Sequence, residues 1–377
     1  MKKILFFTSA NLVGNTGDVV LLKRRAEGFF QSYGIKTICY TLKSCDSICN
    51  EFIEFKNIQN LKEFELEVKE FNIAFIIIYG TRAYKYLNLL LKFKKVYFNN
   101  AKIFCDVQGV PEEIIDFKFG IKKILKYPNF LAHKWILKYA LNKTDGAFVV
   151  TSKLESYCKK LTKKNKIYIK IRCGIDNKLS LEEIKENRFE VRKKWGISDD
   201  VKVFVFSGHL FAWQNFNEIL NLFSKIDANN ENCFFAFFCN ADEKTKEKIN
   251  LKLTNGNFVI DFLSPDVYYK YLSACDVGFL SRKNKTTNNV AFPNKFSDYI
   301  NANLMVALNS YLYEPVSLLE KYNVRYINLD NFNECNLTIS SCEDRFEKYN
   351  SLINNELTYI SQINVFGDET KRMLEIK

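Results

Sequence analysis

Five places in this sequence carry residue types that hold phosphates or sugar hydroxyls, four of them at the end of a short apolar run and one at the start of a helical pattern. Ser207-Gly208-His209 follows VKVFVF, Arg282 follows DVGFLS, and Phe292-Pro293-Asn294-Lys295 with Asp298 opens a helical pattern in AFPNKFSDYINANLMVALNS. Asp106 closes AKIFCDV, and Gly14 and Gly17 follow ILFFTS. An arginine presents a planar fork of donors suited to a diphosphate, although a solvated basic loop also fits Arg282. His209 suits a proton donor or a phosphate ligand, and equally a plain polar turn. Gly14 and Gly17 permit tight backbone near a phosphate or sugar, yet neither GxGxxG nor GK[ST] is present, and an ordinary strand-to-helix turn fits as well. Asp106 can bind hydroxyls or act as a base, whereas Glu112 and Glu113 read as acids that complement a helix dipole. Pro293 suits a helix start, where free N–H groups hold anions and hydroxyls. Phe296, Tyr299 and Ile300 form that helix's apolar face, which leaves Lys295 and Asp298 off the core side. Asn303 fits the left-handed residue that closes a helix, and Met305–Leu308 reads as a strand. The bland alternative is an ordinary helix of an α/β domain.

The elements that position these residues follow one grammar in both halves. KILFFTS, KTICYTL, IAFIIIYG, AKIFCDV, GAFVVTS and KIYIKIR recur in the first half. VKVFVFSG, CFFAFFC, NFVIDFL, DVGFLSR, LMVALN and RYINL recur in the second. These runs are short, β-branched or aromatic, and apolar on both faces, as buried parallel strands are. Helical patterns separate them. The expected fold is therefore α/β, with two facing doubly wound, Rossmann-like domains. The polar stretch Cys173 to Glu190 marks the boundary, giving domains at 1–175 and 176–355 and a helical tail at 356–377. Ligands of such sheets bind beyond the carboxyl ends of strands, where the residues above stand.

Bulk properties narrow the partners. The chain has 377 residues, 47% of them apolar, enough for two packed cores. A net charge of +12 suggests an anionic partner. Eleven cysteines without regular pairing argue against a disulfide scaffold, and two histidines leave no zinc-binding pattern. No paired metal-binding carboxylates stand out, so neither a metal nor a separate cofactor is expected. Met1-Lys2-Lys3 runs directly into ILFFTS without a cleavage pattern, and no apolar run approaches the ~20 residues of a membrane span. A cytoplasmic compartment is expected. Phe117 to Lys143 interleaves lysines with aromatics, which suits either an interfacial helix on an anionic membrane surface or a core helix with a solvated face.

Taken in order, the motifs resemble the retaining glycosyltransferases of family 4, which have the GT-B fold. FSGHLFAWQNFNEILNLFSKI is similar to the turn and helix that open their nucleotide-sugar domain. VYYKYLSACDVGFLSR is similar to the helix-Asp-strand segment before the donor site, and AFPNKFSDYINANLMVALNS to the donor-binding helix. DVQGVPEE resembles an acceptor-side loop, LNKTDGAFVVTSKLESYCKK the close of the N-terminal domain, and CGID the linker. The resemblance implies a nucleotide-diphosphate sugar held mainly by the second domain. Phe292, Pro293 and Asn294 would meet sugar and phosphate through backbone groups, Asp298 the ribose, and Leu263 and Ser264 the base. Arg282, Lys295 and His209 would offset the leaving diphosphate. A glycan or lipid-linked acceptor would dock near Gly14 to Gly17 and Asp106 to Gly109, and the last helix would cross back to the first domain. Retention of configuration, and a place in surface polysaccharide synthesis on the inner face of the membrane, are implied in the same way.

The sequence also departs from that pattern. Val290 stands where the family often has a glutamate, Asp298 replaces a second one, Gln214-Asn215 stand where a lysine is common, and Asn303 where glycine is. A sugar-nucleotide epimerase of the same architecture and a catalytically degraded binding protein are the alternatives. A nucleic-acid partner would need base-stacking motifs that the sequence lacks.

Overall fold

The computed structural model describes residues 2–14, 17–163, 165–230, 232–333 and 338–364. The chain forms two compact units, one ending at Asp176 and regaining the chain from Leu357, the other spanning Asn177–Glu356.

The first unit is built on a seven-stranded parallel sheet. Its strands are β1 (Lys2–Thr8), β2 (Lys36–Thr41), β3 (Ile53–Asn57), β4 (Asn72–Tyr79), β5 (Lys102–Val107), β6 (Gly146–Val149) and β7 (Ile167–Lys170), in the order β3-β2-β1-β4-β5-β6-β7. The winding reverses between β1 and β4, the switch point where such sheets open a crevice. Ile4, Phe6, Phe75, Ile77, Phe104 and Phe148 are buried from the strands, and Leu22, Ala26 and Phe29 of the helix Gly17–Tyr33 close over them. The sequence pattern does not single out β3. This edge strand alternates buried and partly exposed residues, IEFKN, instead of being apolar on both faces.

The second unit carries a six-stranded parallel sheet: β8 (Lys202–Ser207), β9 (Cys233–Phe238), β10 (Phe258–Asp261), β11 (Val277–Leu280), β12 (Met305–Leu308) and β13 (Ile327–Asn328). The order is β10-β9-β8-β11-β12-β13, with the switch between β8 and β11. Its core is aromatic, since Phe204, Phe206, Phe223, Phe235, Phe237 and Phe279 are all fully buried. Asp276, just before β11, ties the sheet to the helix Leu181–Trp195. It accepts from Val203 N at 2.7 Å, from Arg192 at 2.7 Å and from Arg188 at 2.9 Å.

The chain returns to the first unit at its end. Ile175 N donates to Leu357 O at 2.8 Å, and the helix Tyr359–Asn364 lies on the helix Gly17–Tyr33. Gly28 makes that approach possible, because a Cβ there would sit 2.8 Å from both Tyr359 Cβ and Ile363 Cδ1. Of the terminal helix expected over 356–377, residues 365–377 lie outside the described residues.

Candidate functional site

Three segments of the second unit meet beyond the carboxyl ends of β8 and β11. β8 ends at Ser207, and Gly208 turns the chain with φ at +112°, a conformation that favours glycine. The loop then reaches Gln214 before the helix Phe216–Asn229. From the second segment, Arg282 donates to Gln214 Oε1 at 2.6 Å and to Trp213 O at 3.0 Å. From the third, the helix Asn294–Asn301, Lys295 Nζ donates to the same Gln214 Oε1 at 2.8 Å. A Cβ on Gly208 would stand 2.2 Å from Lys295 Nζ, so this glycine clears the lysine's path. The amine also lies 5.1 Å from the centre of the Phe206 ring.

Two cations thus converge on one neutral amide oxygen. Burial, then the neighbouring Arg282, drives the Lys295 pKa down to about 7, and Asp298 offsets this only in part. Burial lowers that of Arg282 to about 10. A bound anion would reverse both effects. Arg282 is held in place from behind: its N–H donates to Asn309 Oδ1 at 2.9 Å, Asn309 donates to Asp330 at 2.8 Å, and Tyr311 OH donates to Arg282 O.

The other wall is made by tyrosines. Ser207 Oγ bonds Tyr268 OH at 2.9 Å and Tyr299 OH at 3.1 Å, and burial raises both phenols. Tyr269 OH donates to Asp298 Oδ1 at 2.8 Å. Tyr268 and Tyr269 come from the helix Pro265–Leu272, which the exposed Ser264 precedes without a side-chain capping bond, with half-buried Leu263 before it. Phe292 and Pro293 are buried behind the start of the helix Asn294–Asn301, and Asn294 is exposed on it. The first N–H groups of such a start have no intrahelical acceptor. His209 is exposed, and its ring packs on Phe211 at 5.1 Å, itself stacked on Trp213 at 4.5 Å. Asn303 does close the helix region with φ at +61°.

The sequence alone gives no role to Gln214, Tyr268 or Tyr269 individually. Gln214 stands out only as a departure at a position where the family often has a lysine, and Tyr268 and Tyr269 only as part of the segment that resembles the helix before the donor site.

In the first unit, Asp106 is 2% exposed at the end of β5 and forms an ion pair with Arg25. Gln108 also donates to its Oδ2, while its Oδ1 has no partner among the described residues. A cavity of about 530 Å³ opens here, lined by Tyr79, Asp106, Gln108, Gly109, Glu113 and His133 among others. Burial raises the Glu113 pKa; burial, then Arg82, lowers that of His133. His133, on the helix Gly120–Lys143, therefore stands on a cavity wall. Neither Gly14 nor Gly17 lines it. Gly14 has φ at +66° and donates to Asp46 Oδ2 at 2.7 Å, Gly17 begins its helix, and residues 15 and 16 are outside the described set.

No protein-family model and no curated protein matches this sequence. Solved structures do match along the whole chain. A glycosyltransferase from Rickettsia africae superposes with a TM-score of 0.68 at 11% identity, covering 100% of both chains. The N-terminal domain of Candida albicans trehalose-6-phosphate phosphatase gives 0.65 at 12% identity, covering 99% of this chain and 97% of that one. An E. coli trehalose-6-phosphate structure bound with UDP-2-fluoro glucose gives 0.59 at 10% identity, over 98% and 99%. With two Rossmann-like units and a returning C-terminal helix, the chain has the GT-B fold.

Proposed function

We propose that this protein is a nucleotide-sugar-dependent glycosyltransferase. It moves a sugar from a nucleotide-diphosphate donor to a hydroxyl of a glycan or lipid-linked acceptor in surface polysaccharide synthesis. One observation carries the reading: Arg282 and Lys295 share a single neutral oxygen, Gln214 Oε1, at the mouth of a parallel sheet. Among the described residues neither cation bonds a carboxylate; cations placed together in this way are suited to an anion, and a diphosphate supplies two charged groups in tandem. The GT-B fold and a structural neighbour bound with UDP-2-fluoro glucose support a nucleotide sugar as that anion's source.

In this reading the donor's diphosphate bridges Arg282 and Lys295. Asp298, oriented by Tyr269, accepts from the ribose, and the turn at Leu263 and Ser264 faces the base. Backbone at Ser207, Gly208, Phe292, Pro293 and Asn294 approaches the sugar and phosphate. As the glycosidic bond breaks, charge gathers on the leaving diphosphate, and cations already in position stabilise that state. His209 contributes as a further donor from its loop. The acceptor hydroxyl meets the Oδ1 of Asp106, which has no partner among the described residues, in the cavity of the first unit, and the acceptor extends toward Gly14 and Gly17. We assign retention of configuration on resemblance to family 4, and a cytoplasmic site of action at the inner face of the membrane.

A thermal-shift screen across nucleotide sugars tests this. A donor at a hundred times its Kd stabilises the native state by about 2.7 kcal/mol. A flat response across uridine, guanosine, adenosine and thymidine diphosphate sugars would sink the proposal. Val290, buried where the family often has a glutamate, carries a second reading, donor binding without turnover. Release of nucleoside diphosphate in the presence of acceptor extracts separates the two.

A further inference from the structure

The helix Gly120–Lys143 is apolar on two opposite faces, and among the described residues one of them is buried and the other exposed. At ~100° per residue, Phe130, Leu137, Ala140 and Leu141 fall on one side, and all four are buried. Ile121, Ile124, Leu125, Leu131 and Trp135 fall on the opposite side. They are between 49% and 74% exposed, as is Phe119 just before the helix at 74%. Residues 118–129 are exposed throughout, so the first turns stand away from the unit's core, and Pro128 separates them from the packed remainder. Scattered exposed leucines are ordinary, but a continuous stripe of large aliphatic side chains is not.

Charge identifies the occupant. Residues 117–143 contain seven lysines and no acidic residue, and Lys122, Lys123 and Lys126 are exposed on the helix side away from the stripe. An apolar stripe flanked by lysines is the pattern of a helix lying in the plane of an anionic bilayer, with aliphatic groups below the headgroups and ammonium groups at their level. We infer that Phe119 to Leu131 is a membrane-docking element, inserted through Phe119, Ile121, Ile124 and Leu125 into an anionic lipid surface. The docking residues are thus Phe119 and the aliphatic ones of the first half. The paired aromatics of the second half, Trp135 and Tyr139, stack on each other at 5.7 Å. The same helix carries His133 and Leu137 on the wall of the first unit's cavity. Docking would therefore bring that cavity close to the lipid surface, where a lipid-linked hydroxyl compound would be held. The membrane element itself does not depend on the donor reading.

Flotation of the full chain with vesicles tests the inference. Phosphatidylglycerol mixed with phosphatidylcholine should carry the protein upward at low salt, and phosphatidylcholine alone should not. The double variant Ile124→Asp/Leu125→Asp should lower partitioning at least about tenfold. Its melting temperature and its nucleotide-sugar thermal shift should match those of the unaltered chain, because these side chains touch no core. Lys122→Glu/Lys123→Glu/Lys126→Glu should bind weakly and lose the salt dependence. No flotation with anionic vesicles at low salt would overturn the inference. So would a concentration-dependent dimer, seen by light scattering and abolished by the aspartates, that floats with neither vesicle, since a second copy would then cover the stripe.

Discussion

Arg25 and Arg282 are both buried near the carboxyl end of a parallel sheet, one in each unit, and their partners make them opposites. Arg25 faces the carboxylate of Asp106. Burial is the largest influence and lowers its pKa, but Asp106, together with Tyr359 and Cys173, brings the net shift upward. Arg282 faces an amide and a main-chain carbonyl, and its pKa falls with that of Lys295 beside it. The first arrangement is matched in charge and can serve the fold, while Asp106 Oδ1 still has no hydrogen-bond partner among the described residues. The second holds positive charge at the cost of stability and becomes comfortable only when an anion arrives. A charge left without its counter-ion inside a fold is the better guide to a ligand site than a charge that is matched.

The largest effect that can test this contrast is on stability. Arg25→Ala strands a buried carboxylate, and chemical denaturation should report a loss of about 3–5 kcal/mol. Arg282→Ala should move the unfolding free energy less. If the two lose equally, Arg282 is part of the framework and the contrast fails.

Next in size is donor affinity. Arg282→Ala and Asp298→Ala should each weaken nucleotide-sugar binding by about 1.5–3 kcal/mol, read by calorimetry. Arg25→Ala should spare affinity in whatever fraction remains folded. Unchanged donor affinity in both cradle variants would refute the placement of the diphosphate.

The smallest effect sharpens the comparison through pH. Lys295 titrates lower in the folded chain, near 7, than in the unfolded chain, near 10.5. The unfolded state therefore holds more protons across that window, and this group costs stability as pH falls from about 10 to 7. Lys295→Met should raise the melting temperature more at pH 7 than at pH 10. Binding of a diphosphate should be accompanied by proton uptake near pH 8, and affinity should fall by up to about tenfold per pH unit above 7. Calorimetry in buffers of different ionisation enthalpy measures the uptake. A value of zero, or no change of slope in Lys295→Met, would show that the amine is already charged in the free protein.

Much of the fold was legible because buried parallel strands must be apolar on both faces. Every such run became a strand, from KILFFTS to RYINL. β3 escaped for the same reason, since an edge strand exposes alternate residues and IEFKN mixes charge with apolar groups. Ser207, Gly208 and Arg282 could be proposed because the winding rule places ligands after strands, and Lys295 and Asp298 because a proline-led helix start resembles the family's donor-binding helix. Gln214 could be noted only as a departure from the family pattern, because its role lies in receiving two cations from segments 68 and 81 residues away. Distance in sequence also hides the role of Tyr269, whose hydroxyl orients Asp298 across 29 residues.

The linear chain by itself thus determined two α/β halves, the strand-end positions and an excess of positive charge, all of which follow from local periodicity and composition. Tertiary structure decided which charges are matched. It gave Asp106 its arginine, left Arg282 and Lys295 on a shared amide, and left one face of the helix Gly120–Lys143 uncovered. Pairing and covering depend on distances between segments remote in sequence, and no local pattern encodes them.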